Sequence, residues 1–232
     1  MESTKGIVLH YYKYSESSVI AKIFTEESGL QPYVLKGVRN KKSKNKVNLL
    51  QALNLVNMEA SNISKRNIQY IKEIRSEIAL IELMGNMSKR FMSMFITEIL
   101  LKVLIESEKD KNLFNYIENI ILSINEKGEL NKNFSLIFLL KLSKYLGFPP
   151  STINSEKEVF DLENSCFTNQ SSYYNISGEN KNYFVSLLKG EEVDIPYKNR
   201  KELLQSLQKY YKLHHYNIDK LRSYEVIESL RI

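Results

Sequence analysis

Through the first third of the chain, apolar and polar residues change places every one or two positions. Residues 6–14 (GIVLHYYKY) and 17–25 (SSVIAKIFT) are rich in β-branched and aromatic side chains, with Ser15-Glu16 between them. This composition predicts two strands. Glu26-Glu27-Ser28-Gly29 reads as a turn in which Gly29 is free to take a positive φ. Further strands are predicted at 30–36, at 50–59 (LQALNLVNME) and at 67–75 (NIQYIKEIR). Five short strands without long helices predict a small antiparallel barrel of the oligonucleotide-binding (OB) type.

From about residue 78 the period lengthens to that of a helix. Phe91, Phe95, Ile99 and Val103 form one row, and Met92, Ile96, Leu100 and Leu104 the next. A helix apolar over so much of its circumference belongs near the centre of a bundle. Helices follow at 112–125 and 133–146, the second stopped by Gly147 and Pro149-Pro150. Residues 159–162 and 165–168 can pair as a hairpin around Glu163-Asn164, and helices are predicted at 180–189, 199–216 and 224–230. The resulting fold class is α+β. It comprises a barrel over 1–79, a helical bundle over 80–150, a small irregular hairpin region over 151–180, and helices over 181–232 that complete the bundle.

Composition sharpens this picture in one place. The hydrophobic fraction of 43% and charged fraction of 26% are those of an ordinary globular protein. The net charge of +6, however, is unevenly placed. Residues 1–79 hold thirteen Lys and Arg against seven Asp and Glu, whereas residues 80–232 hold twenty of each. Much of the surplus lies in LKGVRNKKSKNK, residues 35–46, which has no acidic residue. Such an asymmetry suggests a polyanion-facing module joined to a neutral one. The start, MESTKGIVLHYY, lacks a secretory pattern, and 92–105 is too short and too charged to span a bilayer, so a cytoplasmic protein is expected.

Catalytic chemistry finds little support. His214 and His215 are adjacent and diverge by about 100° on a helix, so they cannot clamp a metal together. His214 falls on an apolar stripe, and His10 reads as a packing residue in mid-strand. Cys166 is the only cysteine, so neither an intrachain disulfide nor a cysteine-rich zinc site is possible. Glu26-Glu27 and Glu191-Glu192 sit in turns, and no glycine-rich phosphate loop is present. No cofactor or metal is expected. Nucleic-acid binding fits better, with Lys36, Arg39, Lys41, Lys42, Lys44 and Lys46 for phosphates. Of the barrel tyrosines 11, 12, 14 and 33, Tyr12 and Tyr33 are the candidates for stacking on bases.

In order along the chain, Tyr14-Ser15-Glu16-Ser17, Phe24-Thr25, Gly29, Lys36-Gly37-Val38-Arg39, the LGF-P stop at 146–149 and RSYEVIESL at 222–230 resemble the RecO family of bacterial recombination mediators and DNA-repair proteins. The resemblance implies binding of single- and double-stranded DNA and annealing of complementary strands. It also implies partnership with RecR, recognition of the acidic, apolar tail of the single-strand-binding protein, and indirect help in loading RecA, all at the nucleoid. A tail of that kind needs an apolar surface beside a cation; Lys89 and Arg90 next to Phe91 are candidates, with Lys141 and Lys144 as alternatives. Some members hold zinc in the small third region. Here Cys166 is alone, and a hairpin is expected to serve as the local fold instead. Two other readings stay open: a helical protein-interaction adaptor without direct DNA binding, and an RNA-binding OB-fold factor.

Overall fold

A computed structural model describes residues 1–38, 47–63, 65–105, 108–170 and 172–224. The strands β1 (Glu2–Lys13), β2 (Val19–Thr25), β3 (Gly29–Leu35), β4 (Leu55–Ala60) and β5 (Gln69–Ser76) close into a barrel in the order β1-β2-β3-β5-β4. All pairings are antiparallel except β3 with β5, which meet in parallel at Tyr33↔Gln69 and Val34↔Tyr70. This is the OB topology the alternation predicts. Inside the barrel lie Val8, Val19, Ala21, Ile23, Tyr33, Leu35, Val56, Met58 and Ile71.

The fourth strand begins five residues later than the pattern suggests. Leu50 and Leu53 are fully buried, but they belong to a turn in which Leu53 has φ 64°. The Leu53 N–H donates to the Val8 carbonyl at 2.7 Å, beside the irregularity in β1 between Val8 and His10. Leu50 here plugs the barrel core rather than extending its sheet.

The described residues divide into two compact units, the first holding those of 1–128 with 222–224, the second those of 129–221. In the first, α1 (Ile81–Gly85), α2 (Met87–Val103) and α3 (Lys111–Ile124) follow the barrel. Helix α2 packs against β1, and Phe114 of α3 meets Phe24 of β2 with ring centroids 5.7 Å apart. The broad apolar surface of α2 is thus partly spent on the barrel. Asn86 and Asp110 cap α2 and α3 by accepting the N–H groups of Lys89 and Leu113.

Glu98 of α2 ties in the final segment. Its carboxylate accepts the Arg222 N–H at 3.1 Å, the Ser223 N–H at 2.9 Å and the Ser223 hydroxyl at 2.6 Å. Burial pushes this carboxyl up, but the bonds from Ser223 and Arg222 outweigh it and hold it below the ordinary range. The helix expected over 224–230 lies outside the described residues beyond Tyr224.

The second unit contains α4 (Phe134–Tyr145), a small sheet ordered β7-β6-β8, α5 (Gly178–Lys189) and α6 (Tyr197–Leu213). Strands β6 (Val159–Asp161) and β7 (Cys166–Thr168) form the expected hairpin, and β8 (Asn175–Ile176) adds an edge that two residues could not announce in sequence. The hairpin is anchored by packing. Phe160 meets Phe167 at 5.0 Å and Phe184 at 4.7 Å, while Ser165 bonds to the Tyr210 hydroxyl at 2.9 Å and His214 Nε2 at 3.0 Å. Burial pushes the Tyr210 phenol up to about 12, against the bond from Ser165. Helix α5 stops where Gly190 turns left-handed, as a terminal glycine predicts.

Candidate nucleic-acid interface

Strand register decides which barrel side chains share a face. Tyr12 pairs with Ile20, Ile20 with Val34, and Val34 with Tyr70, which makes one row across four strands. Cross-strand partners project to the same side. Since Val19, Ala21, Tyr33 and Leu35 fill the interior, this row lies on the outer surface. Ile20 and Val34 are buried at its middle, while Tyr12 and Tyr70 stand 45% and 38% exposed at its ends. Three strand spacings, about 14 Å along the sheet, separate those ends.

Tyr70 carries two cations. Lys36 Nζ, at the end of β3, lies 4.9 Å from its ring centroid, and the Arg66 guanidinium carbon lies 5.8 Å away. The loop bearing Arg66 is fixed from below by Gln69, which is buried. Gln69 Nε2 donates to the carbonyls of Ile63 and Arg66, and its Oε1 accepts the Ile63 N–H and the Ser61 hydroxyl. Ser61 Oγ in turn accepts the Tyr70 N–H at 2.8 Å. One amide side chain thereby sets the distance between cation and ring. At the other end His10 and Tyr12 lie side by side, centroids 6.4 Å apart, with Lys13 and Tyr14 following on exposed chain.

The barrel's acids are largely engaged elsewhere. Glu26 pairs with Lys111 at 2.7 Å, Glu27 with Lys109 at 2.5 Å, Glu59 with Lys72 at 2.9 Å and Glu77 with Lys5 at 2.7 Å. Lys5 also bonds to Glu118, and both carboxylates raise its ammonium well above the lysine range, Glu77 foremost. Lys13, Lys36 and Arg66 make no ion pair among the described residues. Lys36 and Arg66 lie against the exposed Tyr70 ring, an arrangement suited to phosphate contact beside a stacked base.

Of the residues singled out by sequence, Lys36 and Tyr12 fall on this face. Tyr33 does not: it is 2% exposed within the barrel, where burial pushes its phenol up, and it is a core residue. Arg39, Lys41, Lys42, Lys44 and Lys46 lie outside the described residues. Lys89 is corrected too. It is 2% exposed, and its ammonium is bonded to the Glu126 carbonyl with Glu82 at 3.8 Å, so it has no reach toward a partner. Arg90 is exposed and Phe91 half-buried on α2, while Lys141 and Lys144 are exposed on α4 in the other unit.

His10 is exposed rather than packed, because β1 runs past its partner β4 and offers only β2 as support. His214 is a packing residue, stacked on Phe148 at 5.0 Å. Among the described residues no three His, Cys, Asp or Glu side chains gather as a metal site would require. Tyr70 and Arg66 were missed as site residues, although Tyr70 and Lys72 share the polar face of NIQYIKEIR and so signal an outward ring.

A closed five-stranded barrel of this order, with rings and cations on its outer surface, is an OB-fold of the oligonucleotide-binding class. Comparison with known proteins gives the family. The model of the Recombination protein O N-terminal domain matches residues 1–77, and that of the Recombination protein O C-terminal domain matches residues 86–225. A protein named DNA repair protein RecO from Christiangramia forsetii is 31% identical over 98% of both chains. One of the same name from Azobacteroides pseudotrichonymphae is 29% identical, also over 98% of each. The chain belongs to the RecO family.

Proposed function

We propose that this protein is a non-catalytic recombination mediator of DNA repair, acting at the nucleoid. It binds single- and double-stranded DNA through the outer face of its barrel and anneals complementary strands. With RecR it helps RecA to load on single strands covered by the single-strand-binding protein. The observation that carries the DNA-binding part is Tyr70, held between Lys36 and Arg66 in one row with Tyr12. Family membership and the name shared by its relatives support the rest.

The basic segment extends this reading by its charge. Arg39, Lys41, Lys42, Lys44 and Lys46 follow directly on Lys36, and each phosphate they neutralise releases counterions into solution. Annealing needs no covalent step, since a cationic surface that screens phosphate repulsion suffices. For the partner tail, Arg90 is the better cation. Exposed Met87 and Met94 stand three and four positions from it on one face of α2, with Phe91 beside them.

An annealing assay with fluorescent complementary strands, bare and then coated with single-strand-binding protein, tests the function. The wild type accelerates annealing in both cases, and a Lys36→Ala/Tyr70→Ala variant loses most of the effect. Equal rates for the two proteins would remove the barrel face from the mechanism. Tighter binding to RNA than to DNA of matched length would point to the RNA reading instead.

A further inference from the structure

The second unit carries an aromatic pair outside its buried core, with Tyr173 exposed and Tyr174 half-buried. Tyr173 is 90% exposed, more than any other large apolar or aromatic side chain among the described residues. Tyr174 stands edge-on to it, centroids 4.6 Å apart and planes at 85°. Lys209 Nζ, from α6, lies 3.8 Å from the Tyr174 centroid. The backbone here is firmly held. The Tyr174 carbonyl accepts the Leu162 N–H at 3.0 Å, and the next residue, Asn175, pairs with Asp161 in the small sheet.

The local electrostatics favour an anion. Between its ends α6 contains Lys198, Arg200, Lys201, Lys209 and Lys212 against Glu202 alone. Of these, Lys212 is bonded to Asp219, Lys198 reaches Glu202 at 4.0 Å, and Arg200 donates to the Ile195 carbonyl at 2.7 Å, so Lys209 is the cation that stands at the rings. Asp161 is the carboxylate nearest in sheet register, and it is buried in its own turn. Burial pushes it up, but the Asn164 side chain and the N–H groups of Asn164 and Glu163 hold it below the ordinary range. Asn169, Gln170, Ser172 and Asn175 flank the rings in sequence and are neutral and polar. An apolar peptide would want an apolar rim, and an acidic peptide would leave the open faces of Tyr173 unused. A base with its phosphate uses both ring and cation.

We infer that Tyr173, Tyr174 and Lys209 form a second binding platform for single-stranded nucleic acid, separate in sequence and unit from the barrel. A base stacks on Tyr173 while Lys209 meets its phosphate, so one chain can hold two strands. The inference rests on the barrel being the site of the first strand.

The test is a stoichiometric titration of the full chain with a labelled oligodeoxythymidine of about ten nucleotides, within the range one OB-fold covers. Wild type should take up two equivalents. Tyr173→Ala and, independently, Lys209→Ala should take up one, the remaining site keeping its affinity within about two-fold. A lost stack weakens binding roughly 5- to 150-fold per base. Tyr173→Phe should restore the second equivalent, and Tyr70→Ala should remove the other one. Two equivalents in Tyr173→Ala, or only one in the wild type, would overturn the second platform and leave the barrel reading standing. A wild type that binds no strand would sink both.

Discussion

Tyr33 and Tyr70 occupy neighbouring rungs of the β3–β5 seam and face opposite ways. Tyr33→Ala would open a cavity inside the barrel, and truncating a large buried aromatic costs about 3–5 kcal/mol. Thermal or denaturant unfolding should register that loss. Tyr70→Ala should leave the unfolding midpoint nearly unchanged yet weaken single-strand binding by about 1–3 kcal/mol, the worth of one stacked base. Phenylalanine at position 70 should recover most of the affinity, since it keeps the π-face. The sequence pattern points to Tyr33 and passes over Tyr70, for a physical reason. In β3 both faces are apolar, with Leu30 and Val34 buried outside and Tyr33 and Leu35 inside, so alternation cannot say which set is the core. In β5 the outer face keeps Tyr70 and Lys72 in solvent, so there the alternation does carry a signal of an outward ring.

At the level of elements, strand and helix succession could be read because each needed only a local period and a stop signal, such as Gly190 after α5. What could not be read depends on distant partners. The Leu50–Leu53 turn takes its shape from β1, and Glu98, an interruption in an apolar helix by sequence, is the acceptor that anchors Arg222 and Ser223. That role has a pH signature. The folded carboxyl titrates below its unfolded value, so its stabilisation is fully present above the unfolded pKa of about 4.3 and is lost as pH falls through the folded one. Glu98→Gln should therefore lower stability by about 1 kcal/mol at neutral pH, under the roughly 1.5–3 kcal/mol usual for bonds to a charged group because the site is partly open to solvent. Melting curves of variant and wild type should converge as the pH falls below the folded carboxyl's own titration, which lies under the unfolded value. A gap that persisted there would assign the effect to packing rather than charge.

For the molecule as a whole, the separation of charge is the property most open to measurement. The entire surplus of +6 belongs to residues 1–79. Replacing Lys41, Lys42 and Lys44 together by alanine should weaken binding to every DNA sequence alike. The slope of log K against log salt for single strands should flatten by roughly 2, at about 0.7 for each lost phosphate contact. A stability change of less than about 0.5 kcal/mol would class the three as ordinary surface charges. An unaltered slope would reduce the segment to solvated surface and leave DNA binding to Lys36, Arg66 and the rings.

Among the described residues the barrel closes between β3 and β5 through the two rungs Tyr33↔Gln69 and Val34↔Tyr70, while β1 with β2 and β2 with β3 each pair over seven. A cylinder zipped unevenly should breathe at its shortest zip, because local opening costs least where fewest bonds must break together. Amide protons along β5 near Gln69 and Tyr70 should thus exchange with deuterated solvent sooner than those in the middle of β2. Since Tyr70 is also the proposed resting place of a base, an oligonucleotide laid across the outer row would act as a clasp on that zip. Added DNA should slow exchange at the β3–β5 seam more than anywhere else in the barrel, which would make the protein's own protons a reporter of strand binding.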